Sequence, residues 1–235
     1  MNLNVFIAKS GVCSRRDASA LVKDGKVTVN GKVVLEPWSG IGAKDSVKVR
    51  GKLLRQEGNV YILFNKPRGV TVTLEDKFAE TTIAELVPKK FGRVYPVGRL
   101  DKPSRGLIIL TNDGDLCYRL THPKFAVEKE YLVTIKGRAD ESILKKLKKG
   151  VVEGGELLKV REAYIEHADS ARSRLKIVVC EGKKRHLRRL LEELGFEVLD
   201  LMRVRIAGLR LGGIKEGKFS LIDRDSIYGA VEKDS

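Results

Sequence analysis

The sequence predicts an α+β protein that consists of a small N-terminal module and a larger domain of mixed helices and strands. Two short helical patterns and one hairpin pattern fill the first 50 residues, and strand and helix patterns follow from residue 60 onward. The chain has 235 residues, of which 42% are hydrophobic, and this is sufficient for one large domain together with a small one.

The N-terminal module, residues 1–50, begins with two short helices. The first ends at Gly11, and Ser14 is the predicted N-cap of the second, which ends at Gly25. The stretch KVTVNGKVV then predicts a hairpin, because β-branched residues alternate on either side of the turn Asn30-Gly31.

The larger domain, residues 60–235, follows a polar linker at residues 51–59. Apolar or alternating stretches predict its strands, and amphipathic stretches that end at Gly or Pro predict its helices. The predicted strands are VYILFNKP (60–67), GLIILTND (106–113), EKEYLVTIKG (128–137), RLKIVVCEG (174–182) and one or two within EVLDLMRVRIAGLRLGGI. The predicted helices are GDLCYRLTH, ESILKKLKKG and KKRHLRRLLEELG, and the polar tail after Asp223 is expected to fray.

The formal net charge of +15 favours a polyanionic partner, with nucleic acid as the first candidate. No apolar run is long enough to span a membrane, and the N-terminus lacks the layout of a secretory signal, so we expect a cytoplasmic protein. The three cysteines and three histidines are scattered, and motifs for zinc, phosphate loops and dinucleotides are missing. If the protein is an enzyme, we therefore expect it to work with side chains alone and without a cofactor.

The stretch VGRLDKPSRGLIILTNDGD places one carboxylate, Asp101, between Arg99 and Lys102 at the start of an apolar strand. One interpretation is an Asx turn, in which the carboxylate bonds local backbone N–H groups ahead of Pro103. The other is a nucleophile or general base that the neighbouring cations keep ionised. Residue types alone favour the turn.

A second basic cluster lies in CEGKKRHLRRLL, at the start of a predicted helix. Positive charge is unfavourable at a helix N-terminus, so these cations are expected to meet a polyanion or a fixed carboxylate. A solvated basic face is the alternative. The cluster comprises Lys183, Lys184, Arg185, Arg188 and Arg189.

The stretch YPVGRLDKPSRGLIILTNDGDL resembles the catalytic motif of the RsuA-like ribosomal RNA pseudouridine synthases, whose pattern is GRLD, a polar spacer, Gly and an apolar strand ending in TNDG. Three further blocks agree with the family in order: NKPRG, EKEYLV and EGKKRHLRRLL. The stretches SGVCSRRDA and GKVTVNGK are similar to an S4 RNA-binding domain. This resemblance, which spans nearly the whole chain, implies a pseudouridine synthase domain built on a mixed, mainly antiparallel sheet flanked by helices.

The resemblance also implies roles for individual residues. Asp101 would attack an extruded uridine, at the ribose or at the base, and Arg188 would pair with Asp101. Tyr131 would stack on the target base, although from its pattern alone it would be a core aromatic. Arg99 would enter the RNA where the base has left, and Leu201 would back the pocket.

Further basic residues are predicted to contact RNA, although those at the helix start could equally be solvated. One position departs from the family, because His186 stands where Gln is usual, and it could bond RNA or the loop that holds Asp101. The predicted contacts are Arg15, Arg16, Lys23, Lys26, Lys66, Arg185 and Arg189.

The resemblance implies site-specific conversion of uridine to pseudouridine in ribosomal RNA, with large-subunit RNA favoured over small-subunit RNA. The partner would be ribosomal RNA, free or in a ribosome-assembly intermediate, and the protein a monomer without metal. A non-catalytic RNA-binding or ribosome-assembly protein on the same fold is the alternative.

Overall fold

A computed structural model describes residues 1–73 and 80–232 of the chain, which divide into two compact units. The first comprises residues 1–59 together with residues 89–94, and the second comprises residues 60–88 and 95–235, as far as these are described. The first unit includes residues 51–59, which the sequence analysis treats as a linker after a module of residues 1–50. The grouping of residues 89–94 with the N-terminal unit has no counterpart in the sequence pattern.

The N-terminal unit packs two helices on a four-stranded sheet of order β2-β1-β3-β4. Its core consists of apolar residues from both helices and from the two central strands. The elements are α1 (Leu3–Lys9), α2 (Arg15–Lys23), β1 (Val27–Val29), β2 (Lys32–Val33), β3 (Val47–Val49) and β4 (Lys52–Leu53).

The predicted N-cap at Ser14 and the predicted hairpin turn at Asn30-Gly31 are both present in this unit. Ser14 caps α2, and its hydroxyl accepts a hydrogen bond from the Asp17 amide at 3.1 Å. Both Asn30 and Gly31 have positive φ, as a tight two-residue hairpin turn requires. A second such turn, at Arg50-Gly51, is followed by the strand Lys52–Leu53, so the first residues of the predicted polar linker at residues 51–59 pair with β3.

The second unit is organised around a nine-stranded sheet with central order β11-β12-β8-β13-β7-β5-β15; β6 pairs with β7 and β14 with β13. All of these pairings are antiparallel except that between β13 and β7. The elements are β5 (Tyr61–Lys66), α3 (Ile83–Leu86), β6 (Tyr95–Pro96), β7 (Arg105–Thr111), α4 (Gly114–Thr121), β8 (Lys129–Lys136), α5 (Glu141–Lys149), β9 (Val151–Glu153), β10 (Glu156–Leu158), β11 (Glu162–Ala168), β12 (Arg172–Val179), α6 (His186–Glu193), β13 (Val198–Ile206), β14 (Leu209–Arg210), β15 (Phe219–Leu221) and α7 (Arg224–Glu232).

Two apolar clusters of this unit hold helices against the sheet. One joins α5 and α6 to β8, β12 and β13, and the other joins α4 and α7 to β5 and β7. The mixed, mainly antiparallel sheet flanked by helices is thus confirmed. No described helix is both long and apolar enough to cross a membrane.

The sequence patterns did not predict several elements of the second unit, including the β9–β10 hairpin and α7. A hairpin formed by β9 and β10 turns at Gly154-Gly155, both at positive φ. The tail expected to fray after Asp223 instead forms α7 as far as Glu232, because the Asp223 carboxylate accepts a hydrogen bond from the Ser226 amide at 2.8 Å and Ile227 is buried in the core. Residues 233–235 lie outside the described part.

Candidate active site

Asp101 stands in the loop that precedes β7, and this loop closes through its backbone. The Ser104 amide donates to the Asp101 carbonyl at 2.9 Å. Among the described residues none donates a hydrogen bond to the half-buried Asp101 carboxylate. The turn therefore does not depend on this side chain, and the Asx-turn interpretation is wrong.

A buried lysine holds the Asp101 loop from within. The side chain of Lys66, at the end of β5, is fully buried, and its ammonium donates to the carbonyl oxygens of Ser104, Pro67 and Lys102 at 2.6, 2.9 and 3.4 Å. The Gly69 amide donates to the Lys102 carbonyl as well, at 2.9 Å. The predicted RNA contact by Lys66 is wrong, because its charged end does not reach solvent.

Burial also changes the proton affinity of this lysine. Desolvation lowers the pKa of Lys66 from 10.5 to about 8, against the attraction of the Asp101 carboxylate, which favours the charged form. At neutral pH the ammonium remains protonated and places a positive charge beneath the loop that carries Asp101.

Arg188, in the first turn of α6, reaches the same loop. Its guanidinium donates to the carbonyl oxygens of Pro103 and Val198, each at 3.4 Å, and its buried Nε lacks a hydrogen-bond partner. Burial lowers the pKa of Arg188, and Arg185 adds to this effect, whereas Asp101 favours the charged form.

The predicted direct pair between Arg188 and Asp101 is absent from this structure. Neither a hydrogen bond nor an ion pair joins these two described residues, because the guanidinium is directed to the loop carbonyl of Pro103. The arginine is close enough to Asp101 for electrostatic attraction, and it retains an unused donor.

An ion-pair network that the sequence analysis missed ties three segments together beside this loop. The Asp200 carboxylate, on β13, accepts hydrogen bonds from Arg105 at 2.8 Å and from Arg68 at 2.6 Å. Burial opposes ionisation of Asp200, but its bonds to these two arginines hold its pKa below the usual value. Arg68 lies in the quoted NKPRG block, whereas nothing in the local pattern marks Asp200 as its partner.

Gly106 allows β7 to begin where it does. It has φ of +103°, and a Cβ at this position would lie 2.3 Å from the Arg203 carbonyl oxygen of the neighbouring strand. Only glycine satisfies both conditions. The glycine that follows the polar spacer of the GRLD motif thus sets the crossing of β7 and β13, five residues after Asp101.

Tyr131 lies in register with this crossing. It pairs with Arg203 of β13, and Arg203 pairs with Gly106 of β7. With strands about 4.8 Å apart, the Tyr131 backbone is about 10 Å from the start of β7. Tyr131 is half-buried and packs against the same apolar cluster that contains Leu201.

The basic cluster at residues 183–189 is largely bonded within the protein. Arg189 donates to the carboxylates of Glu153 and Glu156, the latter at 2.7 Å, and these residues flank the β9–β10 turn. Arg185 is exposed and pairs with Glu192 at 3.0 Å. The Arg189 guanidinium is occupied by two carboxylates, so an RNA contact by this residue would have to displace them.

His186 is also structural. It is buried, and its Nε2 donates to the Lys159 carbonyl at 3.0 Å. Burial lowers the pKa of His186, so the imidazole is neutral at pH 7. The hypothesis that His186 bonds RNA or the Asp101 loop is wrong, since it anchors the segment after β10.

The remaining predicted RNA contacts are exposed. Arg99 lies at the surface two residues before Asp101. In the N-terminal unit Arg15, Arg16, Lys23 and Lys26 are exposed on or just beyond α2, and of these Lys26 pairs with Asp24 at 3.4 Å.

The arrangement supports acid–base or nucleophilic chemistry by a carboxylate without a metal ligand set. Within the described residues no three His, Cys, Asp or Glu side chains are grouped as metal ligands. A half-buried carboxylate without hydrogen-bond partners, with two cations close by, can attack a bound substrate.

The chain resembles known proteins over its whole length. The family model described as RNA pseudouridylate synthase matches residues 60–193, and the S4 domain model matches residues 1–45. A ribosomal large subunit pseudouridine synthase B of Bacillus subtilis is 36% identical over 217 residues, which cover 92% of this chain and 89% of that protein.

Two further matches agree. The dual-specificity RNA pseudouridine synthase RluF of Escherichia coli is 36% identical over 230 residues, covering 97% of this chain and 77% of that one. A crystal structure of a pseudouridylate synthase superposes with a TM-score of 0.68 at 27% identity, over 98% of this chain and 99% of the other.

Proposed function

This chain belongs to the RNA pseudouridylate synthase family, and we propose that it converts a specific uridine of large-subunit ribosomal RNA to pseudouridine with Asp101 as the attacking group. The half-buried Asp101 carboxylate, presented by a loop whose backbone is bonded elsewhere, is the observation that carries the assignment. The preference for large-subunit RNA is supported by the name of the Bacillus subtilis relative.

The target uridine has to leave its stack before a carboxylate can reach it. Extrusion costs a few kcal/mol, and stacking on an aromatic ring returns about 1–3 kcal/mol. Tyr131 is the aromatic residue proposed for this contact, with Leu201 behind it and Arg99 entering the space that the base leaves.

The reaction is an isomerisation, so no atoms or electrons are supplied from outside. Asp101 attacks the ribose or the base, the bond between N1 and C1′ breaks, and the uracil rotates. C5 then bonds to C1′, the bond between Asp101 and the substrate breaks, the C5 proton is lost, and N1 gains a proton. Because substrate and product contain the same atoms and electrons, the side chains of the protein are sufficient for this chemistry.

The cations near Asp101 compensate the negative charge of the nucleophile while a nucleobase covers it. Covering a carboxylate raises its pKa unless a positive charge stays close. Lys66 supplies a fixed charge from below the loop, and Arg188 supplies a second one whose free donor can turn to the carboxylate when substrate displaces water.

A tritium-release assay on C5-labelled ribosomal RNA tests this proposal directly. We expect release from large-subunit transcripts and little from small-subunit transcripts. Parallel reactions with deproteinised RNA and with assembly intermediates identify the form of the substrate. If the pure protein binds these RNAs and releases no tritium from any of them, it is a non-catalytic RNA-binding or assembly protein.

Mapping pseudouridines in cells with and without the protein identifies the target nucleotide. We expect one site, or a small group of adjacent sites, to lose its modification. Loss confined to small-subunit RNA would contradict the proposed large-subunit target while leaving the proposed chemistry intact.

A further inference from the structure

The N-terminal unit displays the chain's single tryptophan at its surface. Trp38 lies in the loop between β2 and β3, and 62% of its surface is exposed. Burying an indole removes a large apolar area from water, so a tryptophan this exposed, with no function in the core of its own unit, suggests an external ligand.

The loop that carries Trp38 is fixed by backbone hydrogen bonds to the start of the chain. The amides of Leu3 and Asn4 donate to the carbonyls of Ser39 and Pro37 at 2.9 and 3.0 Å. These amides belong to the first turn of α1, where intrahelical acceptors are lacking. The indole is therefore held on a rigid support, and little conformational entropy is lost when a ligand covers it.

One cation lies beside this indole, and two more are exposed on the same helix. The Lys23 ammonium lies 5.9 Å from the centroid of the ring. Arg15 and Arg16, exposed on the same helix as Lys23, line an open groove together with Asn4 and Ser19.

Asn4 connects this groove to the tryptophan loop. Its backbone N–H donates a hydrogen bond to the Pro37 carbonyl, and its side-chain Nδ2 donates one to the Ser19 hydroxyl at 3.0 Å. Two carboxylates on or next to α2 are engaged, since Asp17 completes the cap of α2 and Asp24 pairs with Lys26, while Glu36 is exposed two residues before Trp38.

We propose that Trp38 is a stacking platform for one unpaired nucleobase of the RNA substrate, with Lys23 and the groove cations binding the adjacent phosphates. The inference rests on the proposed function for the identity of the RNA. Every nucleobase has a π-face that an indole can stack on, but only an unpaired base presents it. Phosphates supply the negative charge that the flanking cations require.

A protein partner fits this surface less well. Val33 and Leu35 are exposed near the end of α2 and would add apolar area, but lysine is depleted at protein interfaces, and the cation beside the indole is Lys23. The charges around Trp38 therefore favour a polyanion that also carries rings.

The single tryptophan makes the test direct, because all indole fluorescence of the full-length protein comes from this site. The protein is titrated with a 12-nucleotide oligoadenylate, with a blunt RNA duplex, and with heparin as a polyanion without bases. We expect strong quenching by the oligoadenylate and little by heparin or by the duplex at equal occupancy. Equal quenching by heparin would show that only charge acts here and would overturn the proposal.

Substitutions separate stacking from charge. Trp38→Ala should weaken oligoadenylate binding by about 5- to 100-fold and leave heparin binding unchanged, and Trp38→Phe should restore most of the loss. Leu53→Ala is the matched control. It truncates a comparably exposed apolar side chain on β4, which is the edge strand opposite β2 in the sheet of the N-terminal unit. Unchanged oligoadenylate affinity in folded Trp38→Ala would refute the platform and would leave a protein contact as the use of this surface.

The same variants distinguish failure of this inference from failure of the proposed function. If the wild-type protein shows base-dependent quenching and releases no tritium from ribosomal RNA, the platform stands without the enzymatic activity. If Trp38→Ala leaves KM and kcat for ribosomal RNA unchanged and no quenching is seen in the wild type, the inference fails alone.

Discussion

In the unit that carries Asp101, several cationic side chains turn into the protein, whereas in the N-terminal unit those of α2 turn outward. Lys66 and Arg203 are buried and donate to backbone carbonyls, and Arg189 is held between two carboxylates. Arg15 and Arg16 are exposed on α2, and no described carboxylate pairs with them.

The difference shows that a basic cluster in a sequence has two possible uses. A cation whose partners lie within the chain shapes the site and contributes little to the attraction of a distant polyanion. A cation without internal partners can release counterions from RNA when it binds. Each prediction below tests this division, in order of decreasing expected effect.

The largest effect is expected from Asp101→Asn. The amide is nearly the same size but lacks the charge and nucleophilicity of the carboxylate, so turnover should fall by about 10⁴-fold or more with fold and RNA affinity retained. Tritium release and an RNA-binding titration measure the two separately. Asp115→Asn, the same change at an exposed carboxylate of α4, is the control. Pseudouridine formation by pure Asp101→Asn would refute the assignment.

Arg188→Met should lower kcat by about 10²-fold with a modest loss of RNA affinity, because it removes a charge from beside Asp101 rather than from the surface. Arg185→Met is the control, since Arg185 is exposed and pairs with Glu192. In combination with Asp101→Glu, the loss from Arg188→Met should be far from additive, as for groups that act as a unit. Weaker binding at unchanged kcat would make Arg188 a phosphate contact instead.

Lys66→Met tests the inward charge that supports the catalytic loop. Three carbonyl oxygens lose their donor, so the loop should shift and kcat should fall by about 10²-fold, as it does when catalytic groups are misplaced by about 1 Å. RNA affinity should not change, because the ammonium never reaches the surface. A loss of affinity with normal kcat would contradict this role.

The same lysine predicts a specific pH dependence. Its folded pKa of about 8 lies below the unfolded value of 10.5, so the unfolded chain binds more protons between these values. The contribution of Lys66 to stability therefore rises with pH in this window, whereas kcat should fall above about pH 8 as the loop loses its ammonium. Lys129, whose pKa burial also lowers to about 8, provides the control. Lys129→Met should keep the alkaline fall in kcat, and Lys66→Met should lack it.

Local sequence patterns predicted most of the fold and located Asp101. Buried β5 and β7, the capped α2 and the amphipathic α6 follow from periodicity and caps that lie within a dozen residues. The partners of Arg189 could not be predicted in this way, because Glu153 and Glu156 lie on a hairpin more than thirty residues earlier.

The same reason explains why Asp200 was missed and why Lys66 was assigned to RNA. Their partners come from β7, from the Asp101 loop and from the NKPRG block, which are adjacent only once the sheet has formed. A count of charged residues in the sequence identifies the cation, but it does not identify the acceptor that the folded chain places next to it.

The smallest effect, and the one that sharpens the comparison most, is a change in salt dependence. Arg15→Gln and Arg16→Gln should each flatten the log–log salt slope of RNA binding by roughly 0.7–0.9 and raise KM more than they lower kcat. Substitutions are preferable to deletion of the module, because residues 89–94 group with it and Gly92 packs closely against Glu57.

Arg189→Gln is the matched control for this measurement. It removes the same charge from the first turn of α6, but its guanidinium is already neutralised by Glu153 and Glu156, so the salt slope should stay the same while the protein loses stability. Titrations of a ribosomal RNA fragment at several salt concentrations, with thermal unfolding measured in parallel, compare the three variants. If Arg189→Gln flattens the slope as much as Arg15→Gln does, the carboxylates of the hairpin yield to RNA, and inward and outward cations are not separate classes in this protein.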